Sequence, residues 1–231
     1  MAQQLQSITI TAPGFAGINT QDAPLAQDAS FSAVADNCVI DKEGRIAARK
    51  GYTVLTTNDV LGTSDGIETM GEYVASDGDI TFLSAGNNKI FTGTTTLTDA
   101  TPAAYTISAN NWKFVPFNDH MYIFQRGHEP LIYSDHAGTL EKMSDHAHAT
   151  GTPPQGNECL AAFGRLWVAD FTANKSIIYW SDLLNGSGWS GGSTGSIDIT
   201  KVWPTGYDTI VALAAHNGFL VIFGRNSIVI Y

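Results

Sequence analysis

The chain has 231 residues, of which 43% are hydrophobic and 15% are charged, which excludes a disordered chain, and no apolar run approaches the roughly 18 residues of a membrane span. Its net charge of −10, without a cluster of Lys and Arg, argues against direct binding of DNA or RNA, because such binding requires cationic side chains that neutralise phosphates. Its 24 threonines and 23 glycines, against 6 glutamates and 7 lysines, favour strands and turns and argue against helical bundles and doubly wound α/β folds.

Residues 1–60 form an N-terminal arm that does not share the pattern of the rest of the chain. Within the arm, Ser30 is a suitable N-cap for a short amphipathic helix that we predict to run to about Asn37. Two short apolar segments, 38–40 and 46–48, flank a polar turn and predict a β-hairpin.

Residues 61–231 repeat one pattern four times: a short apolar strand, a turn, a strand of aromatic and β-branched residues, a polar loop and a third strand. Turn residues at equivalent places, Gly78, Asp119, Arg165 and Gly218, are 41, 46 and 53 residues apart. A period of about 40 to 50 residues with several strands is typical of β-propeller blades. The predicted strands are 73–75, 80–83 and 89–92; 114–117, 120–124 and 131–133; 160–163, 166–169 and 177–180; and 211–215, 219–223 and 227–230.

We therefore predict an all-β fold: a β-propeller of about four hairpin-based blade repeats, incomplete at its C-terminus, with a β-sandwich as the alternative. The last predicted strand, 227–231, requires a partner because an unpaired apolar strand is prone to aggregation. Its partner is either the segment 7–11 or a strand of a longer polypeptide, and we expect the longer polypeptide.

Two groups of residues were considered as metal ligands. His146 and His148 lie on one face of a strand if the segment is extended, which suits zinc or copper, but no third ligand follows at a recognisable spacing. Asp77 and Asp79 flank a glycine as in half of a calcium loop, without the glutamate that would close it. We therefore predict a solvated loop and a hairpin turn, and neither a metal nor a cofactor.

The sequence offers no positive case for an enzyme. It contains no nucleophile elbow, no phosphate-binding loop and no dinucleotide fingerprint, so we assign no catalytic residues. Ser181 and Asp182 faintly resemble the aspartate box of sialidase-like propellers, but the spacing of the box is wrong. Cys38 and Cys159 lie among apolar residues and are predicted to be buried, reduced thiols.

The tryptophans separate into two groups. Trp112, Trp167 and Trp180 lie in strand contexts and are predicted to belong to the core. Trp189 lies in the glycine-rich loop 183–196, where it either contacts a partner or packs locally, and both alternatives stay open at this point.

The order of several short motifs resembles tail nozzle proteins, the tail tubular protein B type, of short-tailed double-stranded DNA phages. The motifs are Gly17-Ile18-Asn19-Thr20, Asp22-Ala23-Pro24, Ala35-Asp36-Asn37, Gly44-Arg45-Ile46, Arg49-Lys50-Gly51-Tyr52 and the later Phe223-Gly224-Arg225-Asn226-Ser227-Ile228. The resemblance implies a propeller-like body that assembles into a six-membered ring below the portal and adaptor, and a channel through which genome DNA leaves. Family members are usually much longer than this chain.

The resemblance implies a non-enzymatic virion protein, made in the host cytoplasm and located in the tail. It implies a hexameric ring that contacts the adaptor and other tail proteins and lets DNA pass through its bore without specific binding. A net charge of −10 per subunit agrees with this, because like charge repels DNA. The expected interface residues are Phe15, Ile18, Asn19, Arg45, Arg49, Tyr52 and Trp189. The alternatives are a carbohydrate-binding tail or surface lectin and a sialidase-like glycoside hydrolase.

Overall fold

The computed structural model describes residues 14–40, 45–55, 66–86, 88–103, 105, 112–134, 139–203 and 206–231. The chain divides into two compact units, Met1–Val54 and Leu55–Tyr231. The boundary predicted after residue 60 falls within 56–65, outside the described residues. No helix in the described ranges has the length and hydropathy that crossing a membrane requires.

Unit 1 contains two small pairs of strands. Strand β1 (Gly17–Ile18) pairs in parallel with β2 (Phe31–Ser32), and β3 (Cys38–Ile40) pairs antiparallel with β4 (Ile46–Ala48). The second pair is the predicted hairpin, with Cys38 opposite Ala48 and Ile40 opposite Ile46. The turn predicted over 41–44 lies outside the described residues.

The predicted helix over 30–37 is wrong, because Phe31–Ser32 is strand β2 and the residues that follow are irregular. Local hydrogen bonds explain the difference. Both the backbone N–H and the hydroxyl of Ser30 donate to Oδ1 of Asp28, and the backbone N–H of Val34 donates to Oγ of Ser32. Such short side-chain to backbone bonds offer the chain an alternative to helical hydrogen bonding.

Unit 2 consists of four successive antiparallel sheets, numbered I to IV, in which neighbouring strands follow each other in sequence. Sheet I contains β5 (Ile67–Val74), β6 (Ile80–Gly86), β7 (Lys89–Thr92) and β8 (Thr98–Asp99), and sheet II contains β9 (Lys113–Phe117), β10 (His120–Phe124), β11 (Leu131–Ser134) and β12 (Thr139–Lys142). Sheet III contains β13 (Gly156–Ala162), β14 (Arg165–Phe171), β15 (Ile177–Trp180) and β16 (Gly195–Asp198), and sheet IV contains β17 (Ile210–His216), β18 (Phe219–Gly224) and β19 (Ile228–Ile230). Two single 3-10 turns, Met143–Asp145 and Ile199–Lys201, follow β12 and β16.

Each sheet corresponds to one of the four predicted repeats, and the all-β fold class is confirmed. The fourth strands β8, β12 and β16 were not predicted. One hairpin turn was misplaced by a residue: Phe163 and Gly164 form it, and Arg165 begins β14.

Consecutive sheets pack face to face, with one apolar core between each pair. Both faces of β10 are buried, because Met121 and Ile123 face the core with sheet I while Tyr122 and Phe124 face the core with sheet III. The cores contain, among others, Leu83, Ile90 and Leu131 between sheets I and II; Ile132, Leu166 and Val168 between II and III; and Trp167, Ile178, Leu213 and Ile222 between III and IV.

The first strands β5, β9, β13 and β17 contact each other in series along this stack. Antiparallel sheets with adjacent first strands and face-to-face packing are typical of propeller blades, although closure into a complete propeller stays a prediction. Among the described residues, β19 pairs only with β18, and the alternative partner, segment 7–11, lies outside them.

The structure also locates the predicted core tryptophans and the thiols. Trp112 and Trp167 are buried, and Trp180 is partly buried against the core between sheets III and IV, as predicted. Both cysteines are free, with Cys159 buried and Cys38 only partly buried, so the prediction of burial is wrong for Cys38.

Candidate assembly surface

Unit 1 has no buried residue in its described ranges, 14–40 and 45–54. Folded units ordinarily bury a share of their apolar side chains. Here nine large apolar side chains are exposed, and we call them the arm surface: Ile18, Leu25, Phe31, Val34, Val39, Ile40, Ile46, Tyr52 and Val54. Exposed apolar surface of this kind is typical of a protein contact site.

Three of the predicted interface residues lie around β1. Ile18 belongs to the arm surface, with 56% of its area exposed, whereas Phe15 and Asn19 are partly buried. The Asn19 side chain holds the loop after β1: its Oδ1 accepts the backbone N–H of Gln21 at 3.0 Å, and its Nδ2 donates to Asp22 at 2.8 Å. Asn19 therefore has a structural role within the arm.

Three further predicted interface residues flank strand β4, with Arg45 directly before it and Arg49 and Tyr52 after it. Arg45, Arg49 and Tyr52 are all exposed, and Tyr52 retains 80% of its accessible area. The guanidinium of Arg49 lies 5.7 Å from the centre of the Tyr52 ring, which is a cation–π distance. This end of the arm therefore presents a cation and an aromatic ring together.

Much of the arm surface was missed from the sequence. Leu25 and Val34 are 102% and 68% exposed, and Ile40 and Ile46 face each other across the hairpin at 52% each. The sequence predicted burial instead, because Phe31, Val34 and Ala35 have the spacing of the apolar face of the predicted amphipathic helix.

Trp189 packs locally. Its indole N–H lies 3.2 Å from the sulfur of Met143, its backbone N–H donates to Thr150 at 2.7 Å, and its ring is partly buried against the core between sheets II and III. Trp189 thus packs against its own chain on one side, and its contact with a partner stays a prediction.

A polar network fixes the loop that carries Trp189. Oδ1 of Asp182 accepts the backbone N–H and the hydroxyl of Ser193 at 2.9 and 2.7 Å, and the backbone N–H of Leu183 at 2.9 Å. These hydrogen bonds lower the pKa of Asp182, the bonds from Ser193 most. Arg165 donates to the carbonyl of Ser193 at 2.8 Å. The carboxylate compared above with an aspartate box therefore holds a loop.

An aromatic cavity of about 590 Å³ lies beside this loop. Its walls include the rings of Phe171, Tyr179, Trp180 and Trp189. Aromatic faces in a cavity of this size suit a small ligand that can stack on them. This cavity is the feature on which the lectin alternative depends.

The two predicted histidines meet a third one. His146 lies between His120 and His148, with ring centres 5.2 and 5.6 Å away. His146 and His148 follow the 3-10 turn Met143–Asp145 and do not lie in a strand, whereas His120 is the first residue of β10. Burial, and then the two neighbouring imidazoles, lowers the pKa of His146, so its neutral form is favoured. Within the described ranges, no three side chains of His, Cys, Asp or Glu are placed to hold a metal ion.

Comparison of the chain with models of known families and with curated proteins finds no match. The resemblance to tail nozzle proteins therefore stays a prediction. Of the motifs that carry it, residues 17–20 include β1, residues 35–37 precede β3, and residues 49–52 follow β4.

Proposed function

We propose that this chain is a structural virion protein, a subunit of a phage tail nozzle that assembles into a ring and conducts genome DNA. The observation that carries the proposal is the arm surface, because unit 1 exposes nine large apolar side chains and buries none in its described ranges. These side chains gain burial only by contact with another surface.

A ring of identical subunits provides that contact. Each subunit then packs its arm surface against the same site on its neighbour. When the rotation between neighbours closes the ring, every arm surface is buried in a contact. We propose six subunits, with the adaptor and distal tail proteins on the two faces of the ring.

The charge of the chain suits the passage of DNA. Twelve cationic and 22 acidic side chains leave each subunit at −10, repeated around the ring. Exposed acidic groups repel phosphates over a Debye length, about 10 Å at 0.1 M salt, so a duplex slides without being held.

Removal of the arm tests the proposal. We expect the chain 1–231 to form rings visible by electron microscopy, with a hexameric mass by native mass spectrometry. The chain 55–231 keeps the buried cores of unit 2 and should give a folded, β-rich monomer by circular dichroism.

Three outcomes would contradict the proposal. Rings formed by the chain 55–231 would remove the arm from the interface. A monomeric full chain that binds immobilised glycans and loses this binding on Trp189→Ala would favour the lectin, and turnover of fluorogenic glycosides would favour the hydrolase.

A further inference from the structure

A second cavity, of about 340 Å³, lies at one end of sheets II, III and IV. Lys113 is the first residue of β9, Glu158 lies near the start of β13, and Val211 is the second residue of β17, while Asp170 lies near the end of β14. Because the first strands contact each other in series, their starts bring residues of three sheets around one polar space.

This cavity concentrates positive charge in an acidic protein. It holds four of the twelve cationic residues of the chain but only two carboxylates, an excess of two positive charges. The cationic residues are Lys113, Arg126, Lys175 and Arg225, and the carboxylates are those of Glu158 and Asp170.

Ion pairs fix three of the cations in the wall. Nζ of Lys113 lies 3.2 Å from Oε2 of Glu158, Nζ of Lys175 lies 3.4 Å from Oδ1 of Asp170, and Arg126 pairs with the other oxygen of Asp170. An ammonium has three donors and a guanidinium five, so each pair leaves donors for a further acceptor.

Two hydrogen-bonding groups in the wall have no partner among the described residues. The Asn157 side chain is only 5% exposed and its Oδ1 is unpaired, and the buried Oγ1 of Thr209 is also unpaired. Arg225 is exposed and forms no ion pair with any carboxylate in the described ranges. Buried polar groups without partners are costly in free energy, and a ligand in the cavity would supply the missing bonds.

We propose that this cavity binds a small hydroxylated anion, of the class of sugar phosphates and sugar acids. The oxyanion lies against the guanidiniums and ammoniums, with the exposed guanidinium of Arg225 as one of its partners. Ligand hydroxyls donate to Oδ1 of Asn157 and to the carboxylate of Glu158, and Thr209 donates its hydroxyl to the ligand.

The chemistry of the wall separates this class from simpler ligands. A neutral sugar lacks the negative charge that the two excess cations attract. Inorganic phosphate supplies the charge but too few hydroxyl donors for the acceptors in the wall. The volume of the cavity is at the lower end of the range for small-molecule sites, which suits a ligand of monosaccharide size.

The test is titration calorimetry on the full chain with glucose 6-phosphate, glucuronate, inorganic phosphate and glucose. We expect binding of the two anionic sugars, weaker binding of phosphate and none of glucose. Arg225→Gln and Thr209→Val should each weaken the binding of anionic sugars about tenfold. Lys201→Gln, an exposed cation outside the cavity, is the charge-matched control and should leave binding unchanged.

Thr209→Val also separates binding from folding. Its hydroxyl has no partner in the part of the chain that the structure describes, so the variant should keep the melting temperature of the unmodified chain while it loses affinity. Failure of both anionic sugars to bind, equal losses in the Lys201→Gln control, or binding of a short DNA duplex in their place would each overturn the proposal. None of these results depends on ring formation, so the nozzle proposal is tested separately.

Discussion

Asp182, Asp198 and Asp208 each use one short carboxylate to hold an irregular segment. Oδ1 of Asp198 accepts the backbone N–H of Thr200 at 3.0 Å, and Asp208 accepts the backbone N–H of Asn226 at 2.9 Å. Three of the 16 aspartates therefore hold turns or loops, which suits the short side chain of this residue. The identity of the donors could not be predicted, because Asp208 and Asn226 are brought together by the pairing of β17 with β18.

The stability of the protein should depend on pH through the carboxylate of Asp208. Burial raises the pKa of Asp208, but hydrogen bonds from Asn226, Ser227, Thr209 and Arg225 outweigh it and lower the pKa from 3.8 to about 2. The folded state thus favours the charged form, so this contribution is present above the unfolded pKa. We expect the urea midpoint of unfolding to fall as the pH drops from about 4 to about 2.

The variant Asp208→Asn isolates this effect. An amide cannot accept all of these hydrogen bonds, so the urea midpoint at pH 7 should fall and its decline between about pH 4 and pH 2 should become shallower. Asp79→Asn, at an exposed turn position, is the matched control. Equal midpoints for the two variants at pH 7 would contradict the role assigned to Asp208.

At the scale of the element, hairpins were predictable and isolated short strands were not. The hairpins β9–β10 and β17–β18 turn on Asn118-Asp119 and Asn217-Gly218, residues that tolerate positive φ. Strand β8 has two residues, Thr98–Asp99, too few to show an alternating pattern. The helix predicted in the arm does not form, because the local hydrogen bonds of Ser30 and Ser32 compete with helical hydrogen bonding in that segment.

The hairpin β13–β14 carries a residue unsuited to its turn. Phe163 has φ of 55°, as Asn118 and Asn217 have φ of 46° and 48° at the same place in their hairpins. Left-handed backbone costs an ordinary side chain about 1–2 kcal/mol, and asparagine tolerates it. Phe163→Asn should therefore raise the free energy of unfolding by about 0.5 kcal/mol after the loss of some ring packing. Phe163→Ala keeps the strain and should not stabilise the protein, as measured by chemical denaturation.

At the scale of the whole molecule, the fourfold sequence repeat predicted the four sheets. The packing of the sheets follows from the need to bury their apolar side chains. A strand such as β10, with four consecutive buried residues, requires apolar surface on both faces, and the neighbouring sheets provide it. The cavity at the ends of sheets II to IV could not be predicted. Its residues lie between Lys113 and Arg225 in sequence and are brought together only by the stacking of the sheets.

The arm surface gives the last prediction. Ile40 and Ile46 face each other across the arm hairpin and are both 52% exposed. The double variant Ile40→Thr, Ile46→Thr keeps β-branched side chains, so the hairpin persists, but it removes apolar area worth about 2 kcal/mol of association, roughly thirtyfold in Kd. The control is the pair Val74→Thr, Ile80→Thr, which also face each other across a hairpin and are 56% and 65% exposed in unit 2. Sedimentation velocity over a concentration series should show weaker ring assembly only for the arm variant, because unit 1 buries no residue in its described ranges. Equal assembly by the two variants would place the subunit contact elsewhere.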